Sequence, residues 1–148
     1  MVTIEWFENE IVLLKKAYKY GSYEYSNLSK KFTDLTTSHF HKVRQREKYG
    51  IYIVRQRDTR EVLYIGKSGT IDSRGQFRGQ DIPKRLKNVK GNDIPANKWF
   101  QDLSQEKGPF VIEYIFLPPS MSPAFIEAVL LQAYLNEHHG LPYRNKSL

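Results

Sequence analysis

Four short segments of the chain carry side chains whose chemistry suits the hydrolysis of a phosphodiester. That reaction needs a proton acceptor for water, positive charge on the phosphate and stabilisation of the leaving oxygen. Tyrosine, lysine, arginine and glutamate can supply these functions when they lie together. The segments are Gly50-Ile51-Tyr52, Tyr64-Ile65-Gly66-Lys67-Ser68, Lys84-Arg85-Leu86, and Glu127 followed by Pro142 and Asn145.

Glu127 has the most informative position among these residues. It lies in a predicted helix that begins at Ser122, and the residues three, four and seven positions after it are leucine, leucine and tyrosine. Its carboxylate is therefore expected on the face that packs against the rest of the fold. Burying an unpaired charge is costly, so the carboxylate needs a metal ion or a cation. A salt bridge to Lys67 or Arg85 meets that need as well as a metal ion does.

The other candidate residues have structural alternatives. Tyr52 and Tyr64 are good strand residues that can pack in a core with a bonded hydroxyl. Lys67 and Arg85 can be surface charges, and Asn145 is of a type common in C-terminal tails. None of these residues indicates a site when it is taken alone.

Positive charge is concentrated in the middle of the chain. The 148 residues have a formal net charge of +7, and the segment from Arg74 to Lys90 holds six basic residues and one acidic residue. Such a stripe indicates a nucleic-acid surface, although a solvated basic face has the same composition. The nucleic-acid-binding candidates are Arg74, Arg78, Lys84, Lys87 and Lys90.

Composition excludes several other classes of protein and site. The length predicts one domain with at most a small appendage. The chain has no cysteine, which excludes disulfides, thiolate metal sites and cysteine nucleophiles. No apolar run reaches the roughly 20 residues of a membrane span, and early glutamates at positions 5, 8 and 10 do not fit a secretory leader. A cytoplasmic location without a membrane is therefore expected.

Residues 1–48 are predicted as a helical extension that packs on the main domain or contacts DNA. The apolar positions in residues 5–19 have helical spacing, and Gly21 is the expected end of that helix. A second, short helix is predicted over residues 26–31. A helix-turn-helix is one interpretation of this region, and a simple packing extension is the other.

Residues 49–148 are predicted as an α/β domain of the α+β type. It has a small three-stranded, mainly antiparallel sheet flanked by helices. The predicted strands cover residues 50–56, 61–66 and 110–117. A long glycine-rich loop is predicted between the second strand and the first helix. Helices are predicted to begin at three N-caps followed by an early proline, namely Asp81, Asp93 and Ser122.

Together these features resemble the GIY-YIG endonuclease family. The two tripeptides that name the family, Gly50-Ile51-Tyr52 and Tyr64-Ile65-Gly66, are intact and lie on adjacent predicted strands. Lys-Arg-Leu, a helical glutamate and a late Pro…Asn pair follow in the family's order. The match covers about residues 49–145, and the family's small three-stranded sheet flanked by helices agrees with the predicted elements.

The resemblance implies that Tyr52, Tyr64 and Lys67 belong to an active site. The tyrosines match the two family tyrosines, and Lys67 matches the basic residue that often follows the second tripeptide. A phenol is a poor base because its pKa is ordinarily near 10. A nearby cation such as Lys67 would lower the pKa of Tyr52 and let it act as the general base that accepts a proton from water.

The resemblance also assigns the phosphate and metal contacts. Arg85 matches the arginine on the scissile phosphate, which a guanidinium can bind with two hydrogen bonds. Glu127 matches the carboxylate that holds a single divalent cation, Mg²⁺ or Mn²⁺, which would act as a Lewis acid. Asn145 matches a late asparagine that supports the site. The basic stripe would hold the flanking backbone with salt-sensitive affinity.

Two features depart from the family's pattern. The stretch before Arg85 is longer than in the simplest members, which leaves Arg74 or Arg78 as an alternative catalytic arginine. Many members carry histidine or tyrosine one helical turn after the arginine, and here that position is Val89. A catalytic hydroxyl or imidazole is therefore missing at that place in the sequence.

The resemblance implies a Mg²⁺-dependent DNA endonuclease of restriction, phage or mobile-element, or repair type. Cleavage of both strands would favour a homodimer on DNA, because one site cuts one strand. A non-catalytic nucleic-acid-binding protein on the same fold is an alternative that Val89 favours. A module whose basic face binds an acidic protein is a further alternative.

Overall fold

Five α-helices surround a four-stranded antiparallel sheet in the part of the chain that the computed structural model describes, residues 5–26, 29–88 and 90–148. The sheet contains β1 (Tyr20–Tyr25), β2 (Gly50–Gln56), β3 (Val62–Ser68) and β6 (Phe110–Phe116) in the order β1-β6-β2-β3. A separate two-stranded hairpin contains β4 (Thr70–Ile71) and β5 (Phe77–Arg78). The helices are α1 (Trp6–Ala17), α2 (Phe32–His41), α3 (Ile82–Lys87), α4 (Ala96–Lys107) and α5 (Pro123–His138). None of the described helices is long and apolar enough to cross a bilayer.

The prediction of a three-stranded sheet was wrong by one strand. The fourth strand, β1, comes from the N-terminal segment and pairs antiparallel with β6, from Tyr20 opposite Ile115 to Tyr25 opposite Phe110. The first helix ends at Ala17, so Gly21 lies within the strand and does not end the helix. The strand forms because Tyr23 and Tyr25, two positions apart, point into the core and because β1 pairs with the edge of β6.

The second helix also begins later than predicted. Residues 32–41 form α2, whereas the predicted segment 26–31 precedes it and includes positions 27 and 28, which lie outside the described residues. Phe32 of α2 stacks on Phe100 of α4 with ring centroids 3.7 Å apart. The N-terminal segment thus contributes to the same core as the rest of the chain. The predicted division at residue 48 stays a prediction.

The sheet separates two hydrophobic cores because successive side chains of a strand point to opposite faces. Tyr52 and Val54 of β2 face the core that contains α2, α3 and α4. Ile51 and Ile53 face the core that contains α1 and α5. All four are essentially inaccessible to solvent, so β2 is buried on both faces.

A cluster of charged side chains connects α1 to the sheet beside the second core. Glu113 of β6 has a side chain that is 5% exposed, and it accepts from Lys15 at 2.6 Å and from Arg60 at 2.8 Å. Arg55 of β2 forms an ion pair with Glu113 and donates two hydrogen bonds to Glu8, at 2.8 and 3.0 Å. Burial would raise the pKa of Glu113, but the bond from Lys15 and the surrounding cations outweigh burial and hold it below its ordinary value.

Local capping signals begin two of the later helices where the sequence predicted. Asp81 accepts a hydrogen bond from the Lys84 amide at 3.1 Å, and Ser122 accepts from the Phe125 amide at 3.3 Å. The third predicted N-cap was displaced by two residues, because Pro95 and not Asp93 is the N-cap of α4.

The segment between β3 and α3 is not the long loop that its glycines suggested. It folds back as the β4–β5 hairpin, in which Thr70 pairs with Arg78 and Ile71 pairs with Phe77. Asp72 stabilises the turn by accepting bonds from the amides of Arg74 and Gln76 and from the Arg78 side chain. Stacking of Phe77 on Tyr49, with centroids 4.4 Å apart, anchors the hairpin to the domain.

Candidate functional site

The predicted active-site residues meet at the free edge of β3. This strand is the last of its sheet, and it contacts α3 from one core and α5 from the other. A cavity of about 410 Å³ opens at this junction, and we call it the first cavity. Five of the six predicted catalytic residues line it, namely Tyr52, Tyr64, Lys67, Arg85 and Glu127.

The two glycines of the tripeptides allow the strands and tyrosines to approach this closely. Gly66 lies directly opposite Tyr52 in the β2–β3 pair, and a Cβ on Gly66 would overlap the phenol ring. A Cβ on Gly50 would overlap the carbonyl oxygen of Ile115 on β6. The first glycine therefore brings β2 against β6, and the second leaves space for Tyr52 to lie across β3.

Each of the two tyrosines influences the pKa of the other, and burial has the largest effect on both pKa values. Tyr52 is 1% exposed, whereas Tyr64 is only partly buried. Burial raises the pKa of Tyr52 well above its ordinary value, and the neighbouring Tyr64 hydroxyl adds to this effect. Burial also raises the pKa of Tyr64, although the charge of Arg85 and the neighbouring Tyr52 hydroxyl oppose it.

The structure does not favour the expected lowering of the pKa of Tyr52, because burial is the largest influence on that pKa and raises it. Lys67 pairs with Ile51 and Tyr52 pairs with Gly66, so the two side chains leave the sheet on opposite faces, although both line the first cavity. Arg85 is the cation with the largest influence on the pKa of Tyr52, and Lys67 is the cation with the largest influence on that of Glu127.

Glu127 has no direct partner among the described residues. Burial raises the pKa of its carboxyl group, and the charges of Lys67 and Arg85 oppose that rise without a hydrogen bond or ion pair to either. The alternative of a salt bridge is therefore not what the structure contains. A carboxylate that faces a cavity and lacks a partner suits a cation such as Mg²⁺, which binds through one or two protein carboxylates and keeps several waters. Within the described ranges no three histidine or acidic side chains group around a common point, so Glu127 would be a single protein ligand.

Arg85 is better placed for a phosphate than the two alternative arginines. It shares the first cavity with both tyrosines and with Glu127. Arg78 lines the same cavity but forms an ion pair with Asp72 at 2.7 Å. Arg74 lies exposed at the turn of the hairpin and does not line the cavity.

Asn145 holds the strand that carries Tyr64. Its side-chain amide accepts a hydrogen bond from the Ile65 amide and donates one to the Ile65 carbonyl, both at 2.9 Å. The next residue back, Arg144, donates its amide to the Leu63 carbonyl at 2.8 Å. The C-terminal tail therefore runs along the free edge of β3, and Asn145 positions Tyr64 without lining the first cavity.

The remaining basic candidates have different surroundings. Lys84 is exposed on α3, and Lys87 donates to the Thr37 hydroxyl at 3.0 Å, which connects α3 to α2. Lys90 is only 8% exposed and donates to the Arg85 carbonyl at 2.7 Å. Val89, the position that departs from the family's pattern, lies outside the described residues.

A second cavity, of about 330 Å³, shares three lining residues with the first, and it is also lined by residues that the sequence did not indicate. Tyr64, Arg85 and Glu127 line both cavities. The residues confined to the second cavity include Lys90, Trp99, Arg144, Asn145 and Lys146. No local pattern marks Arg144 or Lys146, because only the path of the tail along β3 brings them here.

The site therefore unites two coupled phenols, an arginine and an unpartnered carboxylate at one strand edge. Comparison of the chain with models of protein families, with curated proteins and with solved structures gives no match. The family suggested by the two tripeptides stays a prediction, and the function must be inferred from the site.

Proposed function

We propose that the chain is a Mg²⁺-dependent DNA endonuclease with a GIY-YIG-type nuclease domain. The observation that carries this proposal is the convergence of Tyr52, Tyr64, Arg85 and the unpartnered Glu127 on one cavity. A charged residue with a purely structural role would have bonded partners, as Glu113 has. A group that the fold leaves unsatisfied in a cavity is a candidate for function.

Arg85 binds the scissile phosphate in this proposal. Its guanidinium can donate two parallel hydrogen bonds to phosphate oxygens and stabilise the charge that grows on them. The Arg85 main chain is held in place by Lys90, whose amine binds its carbonyl. An arginine at this position would also draw the negatively charged strand towards Tyr64 and Glu127.

Tyr64 is the phenol best suited to accept a proton from the attacking water. It is more accessible than Tyr52. The neighbouring Tyr52 hydroxyl lowers the pKa of Tyr64, whereas the Tyr64 hydroxyl raises the pKa of Tyr52, so a phenolate is favoured at Tyr64. The charge of Arg85 lowers the pKa of both phenols. Tyr52 thus stabilises the charged form of its neighbour, which moves the expected proton acceptor from the first tyrosine to the second.

Glu127 would hold the divalent cation. A bound Mg²⁺ supplies Lewis acidity towards the phosphate and the leaving oxygen. Lys67 and Arg85 keep Glu127 closer to its ionised form than burial alone would allow, which prepares the carboxylate for a cation. The site has a single carboxylate, so water and substrate oxygens would complete the coordination.

Nicking of supercoiled plasmid tests this proposal. Wild-type protein is expected to nick the plasmid with Mg²⁺ and to leave it intact in EDTA. Glu127→Gln should slow nicking by about 100- to 1000-fold, the range for loss of one electrostatic group in an active site. Tyr64→Phe should slow nicking more than Tyr52→Phe does. Linear product formed in one binding event would indicate a pair of chains on the DNA.

Glu24→Gln is the matched control for the metal ligand. Glu24 is an exposed carboxylate on β1, at the opposite edge of the sheet from β3. This variant should nick at the wild-type rate. Binding of plasmid by wild-type protein without any Mg²⁺-dependent nicking would contradict the proposal and support a non-catalytic binding protein on this fold.

A further inference from the structure

The second cavity contains three cationic side chains that do not contact the substrate in the proposed reaction, namely Lys90, Arg144 and Lys146. They line it together with Arg85, which the reaction does use. Glu127 is the only acidic side chain among its described lining residues, and the proposed metal ion would neutralise it. The cavity is therefore positively charged once the first cavity is loaded.

Lys90 lacks an anionic partner in the described part of the chain. Its amine donates to the Arg85 carbonyl and lies 5.6 Å from the centre of the Phe100 ring. Burial, helped by the charge of Arg85, lowers the pKa of Lys90 to about 7. An unpaired amine in such a place is costly to protonate, and an entering anion would remove that cost.

Arg144 is fixed in the wall of the cavity. Its guanidinium carbon lies 5.2 Å from the centre of the Trp99 ring, and it donates to Glu106 at 3.2 Å. Its Nε is buried and has no hydrogen-bond partner in the described residues. Lys146, two residues further along the tail, is exposed and makes no described hydrogen bond or ion pair.

Resting on the proposed endonuclease function, we propose that the second cavity binds a phosphate of the cleaved strand next to the one held by Arg85. Because Arg85 lines both cavities, a strand that places one phosphate on it extends from the first cavity into the second. Lys90 and Lys146 neutralise the neighbouring phosphate there. The C-terminal tail then has two functions, because Asn145 holds β3 in place and Lys146 contacts the DNA strand.

Binding of a fluorescent 20-base-pair duplex in EDTA tests this inference without cleavage. Anisotropy titrations over a salt series give both the affinity and the slope of log K against log salt concentration. Lys146→Ala should weaken binding about 3- to 10-fold at low salt and reduce the slope by about 1, because one phosphate contact is lost. Lys90→Met should weaken binding in the same direction.

Lys16→Ala is the control, because Lys16 is an exposed lysine of α1 with no described partner. It should change neither affinity nor slope. An equal change in Lys16→Ala and Lys146→Ala, or no change in Lys146→Ala and Lys90→Met, would overturn the inference. Inorganic phosphate is the probe for a free anion: if it stabilises wild type but not Lys146→Ala while duplex binding is the same in both, the strand assignment is overturned.

These outcomes are separable from those of the plasmid assay. If the plasmid is nicked and the Lys146 and Lys90 variants bind the duplex as wild type does, the nuclease proposal stands and the second cavity is not part of the strand path. If no nicking occurs but Lys146→Ala still reduces the salt slope, the cavity binds a strand on a protein that does not cut it. A single neutral methylphosphonate moved along the duplex would then locate the phosphate, since Lys146→Ala should cause no further loss at that position.

Discussion

Glu113 is a buried carboxylate and Glu127 is a partly buried one, and the two differ in their bonded partners and in the direction of their pKa shifts. Glu113 has Lys15, Arg55 and Arg60 around it, and its pKa lies below the ordinary value. Glu127 has two cations nearby and is bonded to neither, and its pKa lies above the ordinary value. Both residues belong to the side of the sheet that carries α1 and α5, but Glu113 lies in the cluster that connects α1 to the sheet, whereas Glu127 lies at the open edge of β3.

The difference separates a structural carboxylate, Glu113, from one that we propose to be a binding carboxylate, Glu127. A buried charge with a full set of partners stabilises its own location and has no capacity for a further ligand. A partly buried charge without a bonded partner costs stability until a cation arrives. The contrast predicts that the two carboxylates respond in opposite directions to neutralisation.

Neutralising the structural carboxylate should have the largest effect. Glu113→Gln removes the anion that Arg55 and Lys15 share, and removal of one partner of a buried ion pair costs about 3 kcal/mol or more. Urea unfolding at pH 7 measures this loss. The variant should still respond to Mg²⁺ in the way that wild type does. A loss below about 1 kcal/mol would show that Glu8 and water compensate for the missing charge. Glu113 would then not be the structural carboxylate that the comparison requires.

Neutralising the binding carboxylate should have a smaller effect of the opposite sign. Glu127→Gln removes an unpartnered charge, so its melting temperature in EDTA should be higher than that of wild type by a few degrees. Mg²⁺ should raise the melting temperature of wild type and leave that of the variant unchanged, because a ligand stabilises only the state that binds it. A variant that melts earlier than wild type in EDTA would mean that Glu127 has a structural partner after all.

Acid should remove both differences, and this is the smallest of the three effects. The lowered pKa of folded Glu113 gives stability that is present above its unfolded value of 4.5 and is lost as the pH falls through the lower folded value. The raised pKa of folded Glu127 imposes a cost at neutral pH that disappears as the pH falls below 4.5. The urea midpoint of Glu127→Gln should therefore fall towards that of wild type between pH 7 and pH 4, whereas the midpoint of Glu113→Gln should approach that of wild type from the other side only below pH 4.5. Gaps that stay constant with pH would assign both effects to packing.

The elements with strong local signals could be predicted from the sequence. The hairpin of β2 and β3 follows from two β-rich runs with a short polar link, and α3 and α5 follow from Asp81 and Ser122 with their early prolines. β1 could not be predicted in the same way, because it is polar at alternate positions, contains a glycine and is stabilised by pairing with β6. Its neighbour in space is some 90 positions away in the sequence.

The candidate site shows the same division between local and long-range information. The tripeptide tyrosines, Arg85 and Glu127 were found by residue type and order, and the fold brings them to one cavity. The proposal that Tyr64 and not Tyr52 accepts the proton could not be made from the sequence, because it depends on how deeply each phenol is buried. Lys90 was predicted to bind nucleic acid as part of the basic stripe, and its burial could not be foreseen because it depends on packing against Phe100 of α4.

The hold of Asn145 on β3 also has a consequence for solubility. An exposed outer strand presents unpaired amides and carbonyls that can recruit a strand of another molecule. The side chain of Asn145 imitates a peptide group at Ile65, and the amide of Arg144 occupies the carbonyl of Leu63. The tail thereby covers backbone groups of β3 that could otherwise pair with another molecule, so we expect loss of this one asparagine to expose an aggregation-prone edge as well as to loosen the proposed site.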